Sequence, residues 1–236
     1  MSDRRATPKH IGIVGMSAEG AALCYRTICV EGQALLGGYA HPEVTMHTVS
    51  FADHMRLLEE DRWEESGRLM LASAAKLAQA GAAFAICPDN TAHQALDLVR
   101  GDSPIPFLHI AEEVAAAAAE RGFRKVGVLG TRWLMEGPVY ARPLAAREIE
   151  REIPPAEDRR LINDVIFGEL VHGRFEDSSR RSFQEIIGRL ASRGCDAVAL
   201  SCTEIPLLIG EADSSLPTLD STRILARAAL REAMRG

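Results

Sequence analysis

The chain has 236 residues, 47% of them hydrophobic, and a formal net charge of −6 at neutral pH. This length and apolar content predict a globular protein with one large domain or two small ones. The acidic balance, without runs of Lys and Arg, argues against nucleic acid or an anionic membrane as partners. No apolar run reaches the roughly 18 residues of a membrane span, and the polar start of the chain lacks a signal-peptide core, so we expect a cytoplasmic protein.

Apolar strand-like runs alternate with helical runs, which is the pattern of a parallel sheet wrapped by helices. In the first half, strands are predicted at 10–15, 43–51 and 82–87, and helices at 19–30 and 63–80. In the second half, the same alternation predicts helices at 110–121 and 183–193 and strands at 125–130 and 195–201. The tail from residue 216 is predicted to form a short strand and a final helix that pack on the first half.

The two halves match in spacing as well as in order. The run Ile11–Gly15 corresponds to Val126–Gly130 at an offset of 115 residues. Gly81 precedes Asp89 by eight positions, as Gly194 precedes Cys202, so Asp89 and Cys202 are equivalent positions. Each position lies where a strand turns into a helix.

This repetition predicts an α/β protein with two pseudosymmetric, Rossmann-like parallel-sheet domains. We expect residues 1–108 plus 213–236 to form the N-terminal domain and residues 109–212 to form the C-terminal domain. Open parallel sheets bind ligands at the carboxyl ends of their strands. The active site is therefore predicted in the cleft between the two domains, where the matching strand ends would face each other.

Both turns carry side chains that suit a small anionic ligand. The sequences are "DNTAH" from Asp89 and "CTEIP" from Cys202. A helix that begins directly after a strand presents unpaired backbone N–H groups, which bind anions. Thr91 and Thr203 can cap these helices or donate hydrogen bonds to a substrate carboxylate.

Nucleotide, disulfide and metal sites are not indicated. The glycines of the first strand in each half form G-x-x-G, without the third glycine of a dinucleotide fingerprint, and there is no Walker lysine. The five cysteines contain no C-x-x-C, which argues against a disulfide framework and a zinc site. The seven histidines also lack ligand spacing, so we predict no metal.

Four segments resemble the aspartate/glutamate racemase family: "CPDNTAH", "GTRWLMEGPVY", "INDVIFGELVHG" and "ALSCTEIPLL". The resemblance extends from "HIGIVGMS" to "PTLDST" and implies an isomerase, an amino-acid racemase that uses neither pyridoxal phosphate nor a metal. It also implies a homodimer and a small carboxylate or amino-acid substrate. In this family, one cysteine of each domain lies on either face of the substrate α-carbon. One thiolate removes the proton, and the other thiol supplies one.

The chain departs from the family at one of the two catalytic positions. The second cysteine of the family corresponds to Cys202, but the first corresponds to Asp89, so we predict a catalytic pair of one carboxylate and one thiol. Reference pKa values of about 3.9 for Asp and about 8.5 for Cys differ by roughly 4.6, or about 6 kcal/mol, so an untuned pair rests as carboxylate and thiol. A helix N-terminus is expected to lower the pKa of the Cys202 thiol.

Two functional roles are open to Asp89 besides that of a plain helix N-cap. It can accept the α-proton, or it can hold the substrate ammonium while Cys202 alone handles the proton. The departure also leaves two alternatives to racemisation. One is a one-cysteine decarboxylase or isomerase of a small carboxylic acid, and the other is an inactive homologue that binds a small ligand.

The resemblance also implies the substrate-binding residues. Asn90, Thr91 and Thr203 correspond to positions that bind the substrate carboxylate or amino group, and Ser17 and Thr131 lie in equivalent loops after the first strand of each half. Aspartate-specific members hold two carboxylates with an Arg and a Lys. This chain has Ser50 and Val171 near those places, so strict aspartate specificity is not expected. The predicted substrate-binding residues are Ser17, Ser50, Asn90, Thr91, Thr131 and Thr203.

Overall fold

The structure is a computed structural model that describes residues 7–235. The chain divides into two compact units. The first contains the chain up to Pro88, Ala95–His109 and the chain from Leu225 onward, and the second contains Asp89–Gln94 and Ile110–Ile224. Residues 1–6, which belong to the polar start used to predict a cytoplasmic location, lie outside the described residues.

The units differ in detail from the domains predicted from the sequence. The predicted division gives residues 89–94 and 213–224 to the N-terminal domain, whereas both segments belong to the second unit. The domain boundaries at residues 108 and 212 stay a prediction.

The first unit is built around a four-stranded parallel sheet. Its strands are β1 (Ile11–Gly15), β2 (Val44–Thr48), β3 (Phe84–Ile86) and β4 (Phe107–Leu108), in the order β2-β1-β3-β4. The helices in this part of the chain are α1 (Ala18–Leu36), α2 (Phe51–Glu59), α3 (Trp63–Gln79) and α4 (Ala92–Val99). The central strands β1 and β3 are buried along their whole length, which explains their uninterrupted apolar sequences.

The second unit contains a sheet of the same topology. Its strands are β5 (Lys125–Leu129), β6 (Glu150–Glu152), β7 (Ala197–Leu200) and β8 (Thr218–Asp220), in the order β6-β5-β7-β8. The remaining helices are α5 (Ile110–Glu120), α6 (Arg132–Glu136), α7 (Ala141–Ala145), α8 (Ala156–Gly168), α9 (Asp177–Ser192), α10 (Ile205–Leu208) and α11 (Ser221–Ala233). The prediction of an α/β fold with two matching parallel sheets is confirmed.

The strand register supports the equivalence of the two turns. Gly12 pairs with Ala85 in the first sheet, and Gly127 pairs with Val198 in the second. Asp89 follows Ala85 by four positions, as Cys202 follows Val198. Asp89 and Cys202 therefore follow equivalent strand positions by the same number of residues.

Gly12 of β1 and Gly127 of β5 occupy equivalent positions, and the lack of a side chain there lets a helix pack closely on each sheet. A Cβ atom at Gly12 would lie 3.1 Å from Leu77 Cδ1 of α3. A Cβ atom at Gly127 would lie 2.8 Å from Leu190 Cδ1 of α9. Since interiors are close-packed, any larger residue would push these helices away from their sheets.

The prediction that the short strand of the tail packs on the first half is wrong. This strand, β8, pairs with β7 of the second sheet, with Leu200 opposite Asp220. It is the counterpart of β4, because the internal repeat includes a fourth strand in each sheet. The part of α11 from Leu225 onward does belong to the first unit, where the Lys9 backbone N–H donates to the Ala233 carbonyl at 2.8 Å.

Among residues 7–235, no helix has both the length and the hydropathy to span a bilayer. The five cysteines all lie in this range, and no disulfide joins any of them. Cys24, Cys87 and Cys195 are buried, as packing residues are.

Alanine substitution at two glycines near the end of α9 should change the free energy of unfolding in opposite directions. Gly194 has a φ of +86°, so Gly194→Ala should lower the free energy of unfolding by about 1 kcal/mol. Gly188 lies inside α9 with open space around its Cα, so Gly188→Ala should raise it by up to about 1 kcal/mol. Urea unfolding followed by circular dichroism measures both changes. Shifts of the same sign would contradict this account of the helix end.

Candidate active site

The carboxyl ends of β5, β7 and β8 meet at one edge of the second sheet, because the three strands are parallel. Polar side chains follow each strand. Thr131 follows β5, Cys202 and Thr203 follow β7, and Ser221 follows β8. All four are buried, with exposures of 7%, 7%, 3% and 0%. Buried polar groups need hydrogen-bond partners, so this edge is organised by contacts between side chains.

The segment Asp89–Gln94 brings the first predicted turn to this edge. Thr91 Oγ1 lies 2.8 Å from Thr131 Oγ1. Asn90 Nδ2 donates to Ser221 Oγ at 2.9 Å. Three predicted substrate-binding residues, Asn90, Thr91 and Thr131, are therefore brought together in the second unit.

Asp89 binds the first backbone N–H of α4 and also acts electrostatically on Cys202. Its Oδ1 accepts a hydrogen bond from the Ala92 backbone N–H at 3.0 Å, a capping contact made from three residues before the helix. The negative charge of Asp89 is one of the causes that raise the pKa of the Cys202 thiol. The cap occupies one carboxylate oxygen, and a carboxylate has a second oxygen with which to bind or deprotonate a substrate.

His93 holds the backbone at Asp89 in place. Its Nδ1 lies 2.8 Å from the Asp89 carbonyl oxygen, and its Nε2 accepts from the Ile110 backbone N–H at 3.2 Å. A carbonyl oxygen only accepts, so Nδ1 carries the proton and both ring nitrogens are engaged. His93 is a positioning residue.

Burial raises the pKa of the Cys202 thiol well above its usual range, and the Glu204 carboxylate acts in the same direction through its charge and a hydrogen bond. Cys202 Sγ donates to Glu204 Oε2 at 3.1 Å. A hydrogen bond from the Glu204 backbone N–H, at the start of the following helix, lowers this pKa as expected, but burial and the Glu204 carboxylate outweigh it. The helix that follows, α10, has only four residues, so its dipole is small, and a carboxylate stands beside the thiol. Cys202 therefore rests as a protonated thiol.

Glu204 is a site residue that the sequence analysis missed. It is 3% exposed, and its Oε2 accepts from both Cys202 Sγ and Thr203 Oγ1, the latter at 3.0 Å. Its Oε1 is buried without a hydrogen-bond partner among the described residues. An unsatisfied buried oxygen is costly and is characteristic of sites that bind a further group. The only charge in the run "AVALSCTEIPLLI" was the indication available in the sequence.

Two more missed residues surround Asn90. The buried Tyr140 donates from its hydroxyl to Asn90 Oδ1 at 2.7 Å, and Ser221 accepts from Asn90 Nδ2. Neither lies in a turn that the resemblance identifies as binding substrate. Within residues 7–235, no group of three His, Cys, Asp or Glu side chains is placed to hold a metal ion.

The remaining predicted residues, Ser17 and Ser50, belong to the first unit. Ser17 Oγ accepts from the Gly20 backbone N–H at 3.3 Å and caps α1. Thr131 makes the matching cap on α6, where Oγ1 accepts from the Leu134 N–H at 3.3 Å. Ser50 occupies the N-cap position of α2, is exposed and makes no cap hydrogen bond with its side chain.

Comparison with known sequences identifies a family. The family model described as Asp/Glu/Hydantoin racemase matches residues 13–229. The broad specificity amino-acid racemase RacX of Bacillus subtilis is 24% identical over 164 residues, which span 70% of each chain. A glutamate racemase of Thermus thermophilus is 29% identical over 174 residues, which span 72% of this chain and 59% of that enzyme.

Solved structures are also similar. A putative Asp/Glu racemase from Yersinia pestis has a TM-score of 0.88 and 33% identity, covering 96% of this chain and all (100%) of that one. An aspartate racemase homologue from Pyrococcus horikoshii has a TM-score of 0.82 and 29% identity, covering 95% and 99% of the two chains. Both comparisons extend over both units.

The pKa of Cys202 should fall when the neighbouring charge is removed. Glu204→Gln keeps the size of the side chain and deletes one cause of the raised pKa, while burial, the largest cause, remains. The ultraviolet absorbance of the thiolate is followed against pH, and the same titration of a Cys202→Ser protein is subtracted to remove the other cysteines. Glu211→Gln, at an exposed glutamate, is the matched control. An unchanged or higher pKa in Glu204→Gln would show that the carboxylate does not act on the thiol.

Proposed function

The chain belongs to the Asp/Glu/Hydantoin racemase family and is an amino-acid racemase, and we propose that it moves the α-proton with Asp89 and Cys202, without pyridoxal phosphate. The observation that supports this assignment most is the state of Cys202. The thiol is buried at a strand end and donates a hydrogen bond to Glu204, and its raised pKa keeps it protonated. A catalytic cysteine that rests as a thiol is a proton donor.

Racemisation also needs a base that removes the α-proton from the face of the substrate opposite Cys202. The Asp89 carboxylate accepts the α-proton as the Cα–H bond breaks, and its electron pair delocalises into the substrate carboxylate. The Cys202 S–H bond then breaks as a new Cα–H bond forms on the opposite face, which inverts the configuration. The products on the enzyme are a protonated Asp89 and a Cys202 thiolate, and exchange of one proton restores the starting state.

Donors at the sheet edge support the charge that develops on the substrate. Thr91 and Thr131 form a buried hydroxyl pair, and Asn90 carries an amide N–H group close by. Preorganised donors in a buried site stabilise a developing oxyanion much more than water does. We assign these three residues, with Thr203, to the substrate carboxylate and its enolate-like intermediate.

Glu204 is assigned a positioning role toward Cys202. Its hydrogen bond orients the thiol, and its charge opposes thiolate formation. The same charge favours rapid return of a proton to the thiolate after turnover. Glu204 thus keeps Cys202 ready as an acid.

The proposed substrate is a small acidic or related amino acid. The relatives are named as glutamate and aspartate racemases or as a broad specificity amino-acid racemase. Ser50 and Val171 stand near the places where the aspartate-specific type would use cations, which favours a broader choice. We also propose a cytoplasmic homodimer, as the resemblance to the family implies, and light scattering on the purified protein gives the mass of the assembly.

Cys202→Ala should abolish turnover while the fold is kept. Exchange of the α-proton in D₂O is followed by NMR on a panel of L- and D-aspartate, glutamate and neutral amino acids, with circular dichroism as the measure of folding. Cys195→Ala is the matched control, because Cys195 is a buried thiol of the same unit that the proposal leaves without a role. Undiminished exchange in Cys202→Ala would refute its catalytic role.

Asp89→Asn separates catalysis from helix capping. Asn caps a helix about as well as Asp, so the free energy of unfolding should stay within about 0.5 kcal/mol. The amide cannot take up the α-proton, so kcat should fall by a factor of about 100 to 10,000. A rise in KM with little change in kcat would instead identify Asp89 as the anchor of the substrate ammonium.

Asp89→Cys, assayed beside Asp89→Asn, restores the thiol pair of the family. Two thiols have nearly equal reference pKa values, so exchange should exceed that of Asp89→Asn. Exchange no faster than in Asp89→Asn would show that position 89 does not take part in proton transfer.

A further inference from the structure

The Asn90 side chain lies in the middle of a buried chain of hydrogen bonds. Tyr140 Oη donates to Asn90 Oδ1 at 2.7 Å, and Asn90 Nδ2 donates to Ser221 Oγ at 2.9 Å. Ser221 Oγ donates in turn to the Leu200 carbonyl oxygen at 2.9 Å. The three polar side chains are at most 2% exposed, so bulk water does not compete for these bonds. All four residues belong to the second unit.

These hydrogen bonds can run in one direction only, because the last acceptor is a carbonyl oxygen. The Leu200 oxygen cannot donate, so the single proton of Ser221 is committed to it. Ser221 Oγ can then only accept from Asn90, which places the amide nitrogen toward Ser221 and the amide oxygen toward Tyr140. A flipped amide would set Asn90 Oδ1 against Ser221 Oγ, two acceptors in a buried place.

The Tyr140 hydroxyl is suited to be the donor that starts the chain. Burial raises the pKa of the Tyr140 phenol well above its usual range. The phenol therefore keeps its proton at every pH at which the protein works. A phenylalanine in this place would leave Asn90 Oδ1 buried without a donor.

We propose that Tyr140 is a positioning residue that fixes the polarity of the Asn90 amide, so that the second N–H of Asn90 Nδ2, beyond the one donated to Ser221, is presented to a substrate. We assign that N–H to a substrate carboxylate oxygen. This inference rests on the proposed function, because it names the substrate group that one residue of that site recognises.

The first test is a double-mutant cycle on the full-length protein. Tyr140→Phe should lower kcat/KM for α-proton exchange about tenfold, mainly through KM, which corresponds to about 1.4 kcal/mol. In an Asn90→Ala background, Tyr140→Phe should add less than a twofold effect, because Tyr140 acts through Asn90. Tyr39→Phe, at a tyrosine that is 94% exposed, is the matched control. Equal losses in both backgrounds would overturn the proposal.

The second test does not depend on activity. The side-chain amide resonances of Asn90 are assigned in ¹⁵N NMR spectra by their loss in Asn90→Ala. The wild type should show one slowly exchanging NH₂ pair, and in Tyr140→Phe this pair should shift and exchange faster with solvent. An unchanged pair overturns the proposal whatever the kinetics. A wild type that exchanges no amino acid overturns the proposed function instead, and the amide spectra still decide the orientation of Asn90.

Asn90→Asp provides a second variant if Tyr140→Phe does not fold. It keeps an oxygen for Tyr140 but offers a substrate no N–H group. Weaker binding, seen as a KM raised about tenfold or more, agrees with recognition of a carboxylate. An unchanged or lower KM contradicts it, because an ammonium would bind an added carboxylate at least as well.

Discussion

The parallel pairing of β5, β7 and β8 is the constraint on which the site depends. Parallel strands end at the same edge, so Thr131, Cys202 and Ser221 come together although they are far apart in the chain. The edge is buried, and every polar group on it must find a partner or a ligand. The hydrogen bonds of Asn90, Thr91 and Glu204 meet that requirement, whereas Glu204 Oε1 is one of several buried side-chain atoms without a hydrogen-bond partner among the described residues.

The same burial decides the chemistry of the thiol. A cysteine in water loses its proton near the upper end of the physiological range, and many reactive cysteines are shifted further down by cations or helix ends. Cys202 is shifted the other way by desolvation and by the carboxylates of Glu204 and Asp89. This environment is consistent with the proposed role of Cys202 as a proton donor.

Several features of the site were accessible from the sequence, and others were not. Asp89 and Cys202 were predicted because the two turns are copied at an offset of 113 residues, and the threonines beside them were predicted from the resemblance to the family. Glu204 was passed over, although it is adjacent to Thr203, because a glutamate in a turn is usually solvated. Short strands such as β4 and β6 were also missed, since two or three residues carry no periodicity of their own.

The sequence by itself determined the α/β class, the two matching sheets and the equivalence of Asp89 with Cys202. These depend on residue spacing along the chain, which the internal repeat makes visible twice. The tertiary structure decided the placement of β8, the protonated state of Cys202 and the orientation of the Asn90 amide. The protonated state of Cys202 depends on burial, to which the neighbouring Glu204 adds its charge. The orientation of the Asn90 amide depends on a side chain brought from elsewhere, since Ser221 lies 131 positions from Asn90. Desolvation and hydrogen-bond direction arise only when the chain is packed, so they cannot be read from residue spacing alone.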